Sequence, residues 1–149
     1  MTEIRPGLPE DAAAVTACVR AAYAGYVERI GREPAPMGAD YAALIAAGAV
    51  WVADDAGRVV GVLVLQTQGR ALMVENVAVL PERQGHGLGR ELLGFAEGRG
   101  RLAGLAEVTL YTNEHMTENL RFYPALGYVE TGRGVQDGFA RVFFRKPLP

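Results

Sequence analysis

The chain has 149 residues, half of them apolar, and a formal net charge of −2. That length suffices for one domain with a sizeable core and no help from metals or disulfides. The mild charge provides no broad footprint for nucleic acid or for an acidic membrane surface, so neither is expected as a partner. Cys18 is the single cysteine, which excludes an intramolecular disulfide and a Cys-rich zinc site. His86 and His115 have no carboxylate cluster beside them in sequence, so no metal site is expected. The N-terminus lacks a basic segment followed by an apolar core, and no apolar run reaches the ~20 residues of a spanning helix; the expectation is a cytoplasmic protein.

In chain order, Thr2 to Arg5 reads as a first strand, and Pro9 opens a helix at its favoured first position, with Glu10 and Asp11 suited to the dipole. Val15, Val19 and Ala22 give that helix a buried face as far as about Tyr26, with Cys18 inside as a small hydrophobe. Gly31 to Gly38 is a loop by its glycines and prolines; Asp40 then caps a short helix running to about Ala47 and ended by Gly48. Val50 to Ala53, Val59 to Gln68 and Ala71 to Val79 alternate as strands joined by tight turns, an antiparallel meander. At Leu88, Leu92, Phe95 and Ala96 the period turns helical, although Gly94, Gly98 and Gly100 each cost about 1 kcal/mol, so the C-terminal end is expected to fray before Gly104. Glu107 to Thr112 is a strand reached by a right-handed parallel crossover. A short helix carrying Pro124 follows and stops at Gly127; Tyr128 to Arg133 and Phe139 to Lys146 close the chain as a hairpin over Asp137-Gly138.

The most informative stretch is Glu75 to Arg90, in which an alternating strand leads through Arg83, Gln84 and the spaced glycines Gly85, Gly87 and Gly89 into the helix. Glycines let a backbone approach a ligand closely, and the first N–H groups of a helix are free to bind phosphate oxygens. The loop lacks Gly-Lys-Ser/Thr, so it is no P-loop, and its spacing is not the GxGxxG of a dinucleotide fold. Gln84-Gly85-His86-Gly87-Leu88-Gly89 instead resembles the pyrophosphate loop of the GNAT superfamily of N-acetyltransferases. Asn119-Leu120-Arg121-Phe122-Tyr123-Pro124-Ala125-Leu126-Gly127-Tyr128 resembles the family's second motif, an Asn, a Phe-Tyr pair and a Leu-Gly-Tyr ending.

The resemblance implies one mixed α/β (α+β) domain over residues 1–149, with a mostly antiparallel, twisted sheet of six or seven strands and about four helices on both faces. It implies acetyl-CoA as cosubstrate and no metal. The pantetheine arm would pair with the backbone at Val77 and Val79 and with Asn119. The pyrophosphate would meet Arg83, Gln84, Gly85, His86, Gly87, Leu88, Gly89 and Arg90. An amine must lose a proton before it attacks a thioester, and Glu75 is the candidate base; Tyr123 sits where a hydroxyl protonates the departing thiolate. Tyr26, Arg32 and Tyr41 lie on the implied acceptor wall and are candidate substrate contacts, each equally readable as a packing or surface residue. The implied reaction is direct acetyl transfer to a primary amine of a small molecule or peptide. Its rivals are an acyl-CoA-binding sensor without turnover and, behind that, an interface protein of the same fold. Family members are often homodimers, a point on which this sequence is silent.

Overall fold

In the computed structural model, which describes residues 2–149, the strands are β1 (Thr2–Pro6), β2 (Val50–Asp55), β3 (Arg58–Gln68), β4 (Ala71–Val79), β5 (Glu107–Asn113), β6 (Val129–Gln136) and β7 (Phe139–Pro147). The α-helices are α1 (Ala12–Tyr23), α2 (Val27–Ile30), α3 (Tyr41–Ala46), α4 (Leu88–Leu102) and α5 (Thr117–Ala125). The seven strands hydrogen-bond in the order β1-β2-β3-β4-β5-β7-β6. β4 and β5 are parallel, as the crossover predicts, whereas β1 with β2, β2 with β3, β5 with β7 and β6 with β7 are antiparallel. The mixed α/β class and the mostly antiparallel sheet are those expected from the sequence. The chain divides into two compact units, one made of residues up to Leu65 and Asn76–Gly94, the other of Gln66–Glu75 and Phe95–Pro149.

In the first unit, Arg5 on β1 donates to Asp54 Oδ2 on β2 (3.0 Å) and to Asp11 Oδ2 (2.8 Å). Asp11 also accepts from the amide of Leu8 at 2.7 Å, so Pro9–Asp11 folds as a 3-10 turn and the α-helix starts only at Ala12. Val15 and Val19 are fully buried, each worth about 2 kcal/mol of transfer energy. The helical run outlasts the predicted end at Tyr26. A 3-10 turn, Ala24–Tyr26, leads into α2, because no breaker follows until Gly31 takes a left-handed φ of 89°. Asp40 accepts from the amide of Ala43 (3.1 Å) and caps α3 as expected. Ala56 (φ 52°) and Gly57 (φ 91°) make the two-residue turn between β2 and β3, the primed geometry that matches strand twist. Gly61 permits a close approach on β3: a Cβ there would lie 3.1 Å from Leu92 and 3.3 Å from Leu88.

In the second unit, the parallel ladder runs from Ala71 opposite Glu107 to Val74 opposite Leu110. α4 runs as a regular helix to Leu102, and the amide of Leu105 returns to the carbonyl of Gly100 (2.9 Å). Gly100 has a packing role that composition does not reveal, since a Cβ there would lie 2.6 Å from Leu148. Pro124 sits in the last turn of α5, and the chain leaves through Gly127 at φ 94° with the amide of Tyr128 on the carbonyl of Tyr123 (3.1 Å). Buried Glu97 accepts from Tyr128 Oη and Lys146 Nζ, each at 3.0 Å, and Lys146 also donates to Leu126 O. Burial, reinforced by the Glu97 charge, pushes the Tyr128 phenol up. The final hairpin turns at Asp137 (φ 53°) and Gly138 (φ 77°), and β7 lies between β5 and β6.

Candidate active site

A 3-10 turn, Pro81–Arg83, carries β4 into the glycine loop, where Gly85 (φ 80°) and Gly87 (φ 86°) take the left-handed conformation that side chains avoid. A Cβ at either would meet nothing within 4 Å, so the backbone faces open space. α4 starts at Leu88 and its amide of Glu91 bonds the carbonyl of Gly87 (3.0 Å). Helix geometry therefore leaves the N–H groups of Leu88, Gly89 and Arg90 without intrahelical acceptors. Leu88 is buried and anchors this end of the helix, whereas Gln84, His86 and Arg90 are exposed. Gln84 Nε2 donates to Val79 O (3.0 Å), tying the loop to the strand it leaves. The two arginines differ. Arg83 is ion-paired with Asp55 and holds that carboxyl below its ordinary range, whereas Arg90 has no ion-pair partner among the described residues.

On β4, Val77 and Val79 are half-buried and alternate with buried Asn76 and Ala78. Tyr23 Oη donates to Asn76 Oδ1 (2.7 Å), and Asn76 Nδ2 donates to Tyr41 Oη (3.0 Å), which donates to Pro36 O. Tyr41, a predicted substrate contact, is 2% exposed, and its hydroxyl secures this network. Tyr26 is half-buried with the Arg29 guanidinium 5.0 Å from its ring centroid, and Arg32 is exposed just past Gly31. Asn76 and Tyr23 escaped the sequence reading. The available signal was an asparagine at an inward position of an apolar strand, which must find hydrogen bonds. Cys18 lies in the interior, where burial pushes its thiol up to about 11. It is no nucleophile.

In the second unit, Glu75 stands one residue past the last pair of the parallel ladder. Its Oε2 is buried and accepts no hydrogen bond from the described residues. Asn119 Nδ2 donates to buried Thr112 Oγ1 (3.0 Å), which fixes the amide and leaves Oδ1 without a partner among the described residues. Tyr123 is 5% exposed, its ring set against Phe122 (5.4 Å), Phe144 (5.6 Å) and Tyr128 (6.1 Å between centroids). His115 is exposed on the turn before α5, where its amide donates to Asn113 Oδ1 (2.9 Å). Among the described residues no helix is long and apolar enough to cross a membrane.

Solved structures share this architecture. PaiA N-acetyltransferase from Thermoplasma acidophilum, in complex with coenzyme A, superposes with a TM-score of 0.83 at 16% identity, over 99% of both chains. The ribosomal-protein-S18-alanine N-acetyltransferase of Escherichia coli gives 0.76 at 19% identity, over 99% of this chain and 94% of its own. The IAA acetyltransferase of Bacillus cereus gives 0.75 at 20% identity, over 99% of this chain and 100% of its own. At these identities the likeness shows the fold. No curated protein sequence matches the chain. Residues 46–130, more than half of the chain and including the whole glycine loop and the Asn119 to Tyr128 motif, match the family model of the acetyltransferase (GNAT) domain, and the chain therefore belongs to the GNAT acetyltransferase family.

Proposed function

We propose that residues 1–149 act as a single N-acetyltransferase domain that binds acetyl-CoA and transfers its acetyl group to a primary amine of a small molecule or peptide, by direct attack in a ternary complex. The observation that carries this reading is the loop of the first unit. Two left-handed glycines open onto free space ahead of the unpaired amides of α4, the arrangement that binds a pyrophosphate. Exposed Arg90 adds charge there. Arg83, held by Asp55, shapes the turn and contributes less.

Acetyl-CoA supplies the thioester. Glu75 takes a proton from the acceptor ammonium, directly or through water, so that the nitrogen lone pair can attack the acetyl carbon. Its buried, unsatisfied Oε2 suits a carboxylate whose partner arrives with the substrate. The strand N–H of Val77 stabilises the charge that develops on the thioester oxygen. As the C–S bond breaks, Tyr123 Oη gives its proton to the departing thiolate; a phenol is protonated at neutral pH and can supply that proton. Asn119, held by Thr112, offers Oδ1 to the amides of the pantetheine arm. Thiol release from acetyl-CoA across an amine panel tests the reading. Intersecting initial-velocity lines and amine-dependent thiol release are expected. Binding without release from any amine would leave a sensor.

A further inference from the structure

Arg141 on β7 is 8% exposed, yet its guanidinium has one hydrogen-bond partner, Gln136 Oε1 at 2.8 Å, and no carboxylate among the described residues. Other arginines of the chain, Arg5, Arg83 and Arg145 among them, are paired with carboxylates. A buried, uncompensated charge is costly, and an apolar side chain would cover the same ring surface without that cost. The Arg141 Cζ lies 4.2 Å from the Tyr111 ring centroid and 5.9 Å from that of Phe139. The ring contacts and the Gln136 bond hold the guanidinium in place, and a guanidinium so held can take up a carboxylate through two bonds.

The register shows which face this charge occupies. Arg141 is opposite Asn113, Phe143 opposite Tyr111, and Arg145 opposite Thr109, which is in turn paired with Met73. Directly opposed residues share a sheet face, as do alternate residues of a strand. Arg141, Tyr111 and Met73 therefore project from one face, whereas Thr112, Val142 and Phe144, with the Tyr123 ring against Phe144, belong to the other. Glu75 follows Met73 by two residues, one past the ladder's last pair. Arg141 leans from β7 across the Tyr111 ring of β5, the strand between β7 and β4. The two charged groups make no ion pair with each other.

We propose that Arg141 is a specificity-determining residue that binds a carboxylate on the acceptor, so that the acceptor is a small amino-acid-type zwitterion, its ammonium at Glu75 and its carboxylate at Arg141. This rests on the acetyl-transfer reading for the ammonium half alone. An orphaned carboxyl oxygen on β4 and a buried guanidinium without a carboxylate over β5 are opposite charges on neighbouring strands, which a zwitterion satisfies at both ends and a simple alkylamine at only one.

The test compares the twenty common amino acids with their carboxamides as acceptors, by thiol release from acetyl-CoA. In parallel, calorimetry measures binding of the corresponding N-acetylated acids and amides, which needs no turnover. Two variants are used. Arg141→Gln removes the charge, and Gln136→Glu, at an exposed position, keeps the guanidinium but supplies it with a competing carboxylate. For at least one amino acid the wild type should show kcat/KM at least about tenfold above the amide. Both variants should erase that preference through KM, with acetyl-CoA affinity unchanged. Equal use of acids and amides would overturn the proposal while leaving acetyl transfer intact, as would an acid preference that survives in Gln136→Glu. Arg141-dependent binding of an acid with no thiol release from any amine would sustain the carboxylate site and overturn the transfer reading instead. A protein that neither binds nor acetylates any acid overturns the proposal.

Discussion

Tyr123→Phe separates the hydroxyl from the ring. The ring is packed among Phe122, Tyr128 and Phe144, so phenylalanine preserves those contacts and deletes only the proton donor. The expected outcome is a fall in kcat of about 100-fold with acetyl-CoA affinity changed by less than about threefold, read by steady-state kinetics beside calorimetry. Unchanged kcat would remove the acid role. Glu75→Gln is the corresponding test of the base. Activity should fall at least about tenfold near neutral pH, and the deficit should shrink as pH rises from about 7 to about 10, because the amine then loses its proton to solvent. A deficit independent of pH would contradict proton abstraction by Glu75. At this scale the sequence was partly legible. Tyr123 and Asn119 stand out by motif, and their roles are what the kinetic tests decide. Tyr41 reads equally as an acceptor contact or a packing residue in the sequence; that its hydroxyl bonds Asn76 and Pro36 is a partnership only the tertiary structure shows. Nothing in the sequence distinguishes Arg141 from other basic residues, since a missing carboxylate is a property of surroundings.

Among the elements, the glycine loop was the most legible, because a left-handed backbone restricts residue choice and glycine records it directly. Gly87→Glu should weaken acetyl-CoA binding at least about tenfold, by placing a charge and bulk where backbone amides meet an anion. The left-handed φ adds roughly 1 kcal/mol of strain. Thermal melting beside the titration distinguishes the two effects, and unchanged affinity would remove the loop from the site. The turns at Ala56-Gly57 and Asp137-Gly138 were legible for the same reason. Helix ends were less so. Asp11 spends its carboxylate on Arg5 and the Leu8 amide and delays the α-helix to Ala12, while Val27 to Ile30 contains no breaker and lets the run continue. The insertion of β7 between β5 and β6 could not be read, because a hairpin fixes only that its two strands are neighbours.

For the molecule as a whole, the alternating strands and the periodic helix stripe fixed the α/β class, while the interactions that set its response to pH depend on contacts distant in sequence. The Arg5 guanidinium, by its hydrogen bonds to Asp11, holds that carboxyl below its usual range. A depressed native pKa adds stability that is complete above the unfolded carboxylate value of ~3.9 and is lost as pH falls through the native value. Asp11→Asn should therefore lower the melting temperature by roughly 3 °C near neutral pH and leave it unchanged at low pH, where both proteins carry a neutral side chain. An equal loss at both pH values would assign the effect to packing. The central claim is cofactor use, and the measurement that tests it most directly is a calorimetric titration of the folded, CoA-free protein with acetyl-CoA, run beside NAD and ATP. Saturable binding of acetyl-CoA alone is the expected result. No binding, or equal binding of all three, would contradict an acetyl-CoA site at the glycine loop and the chemistry built on it.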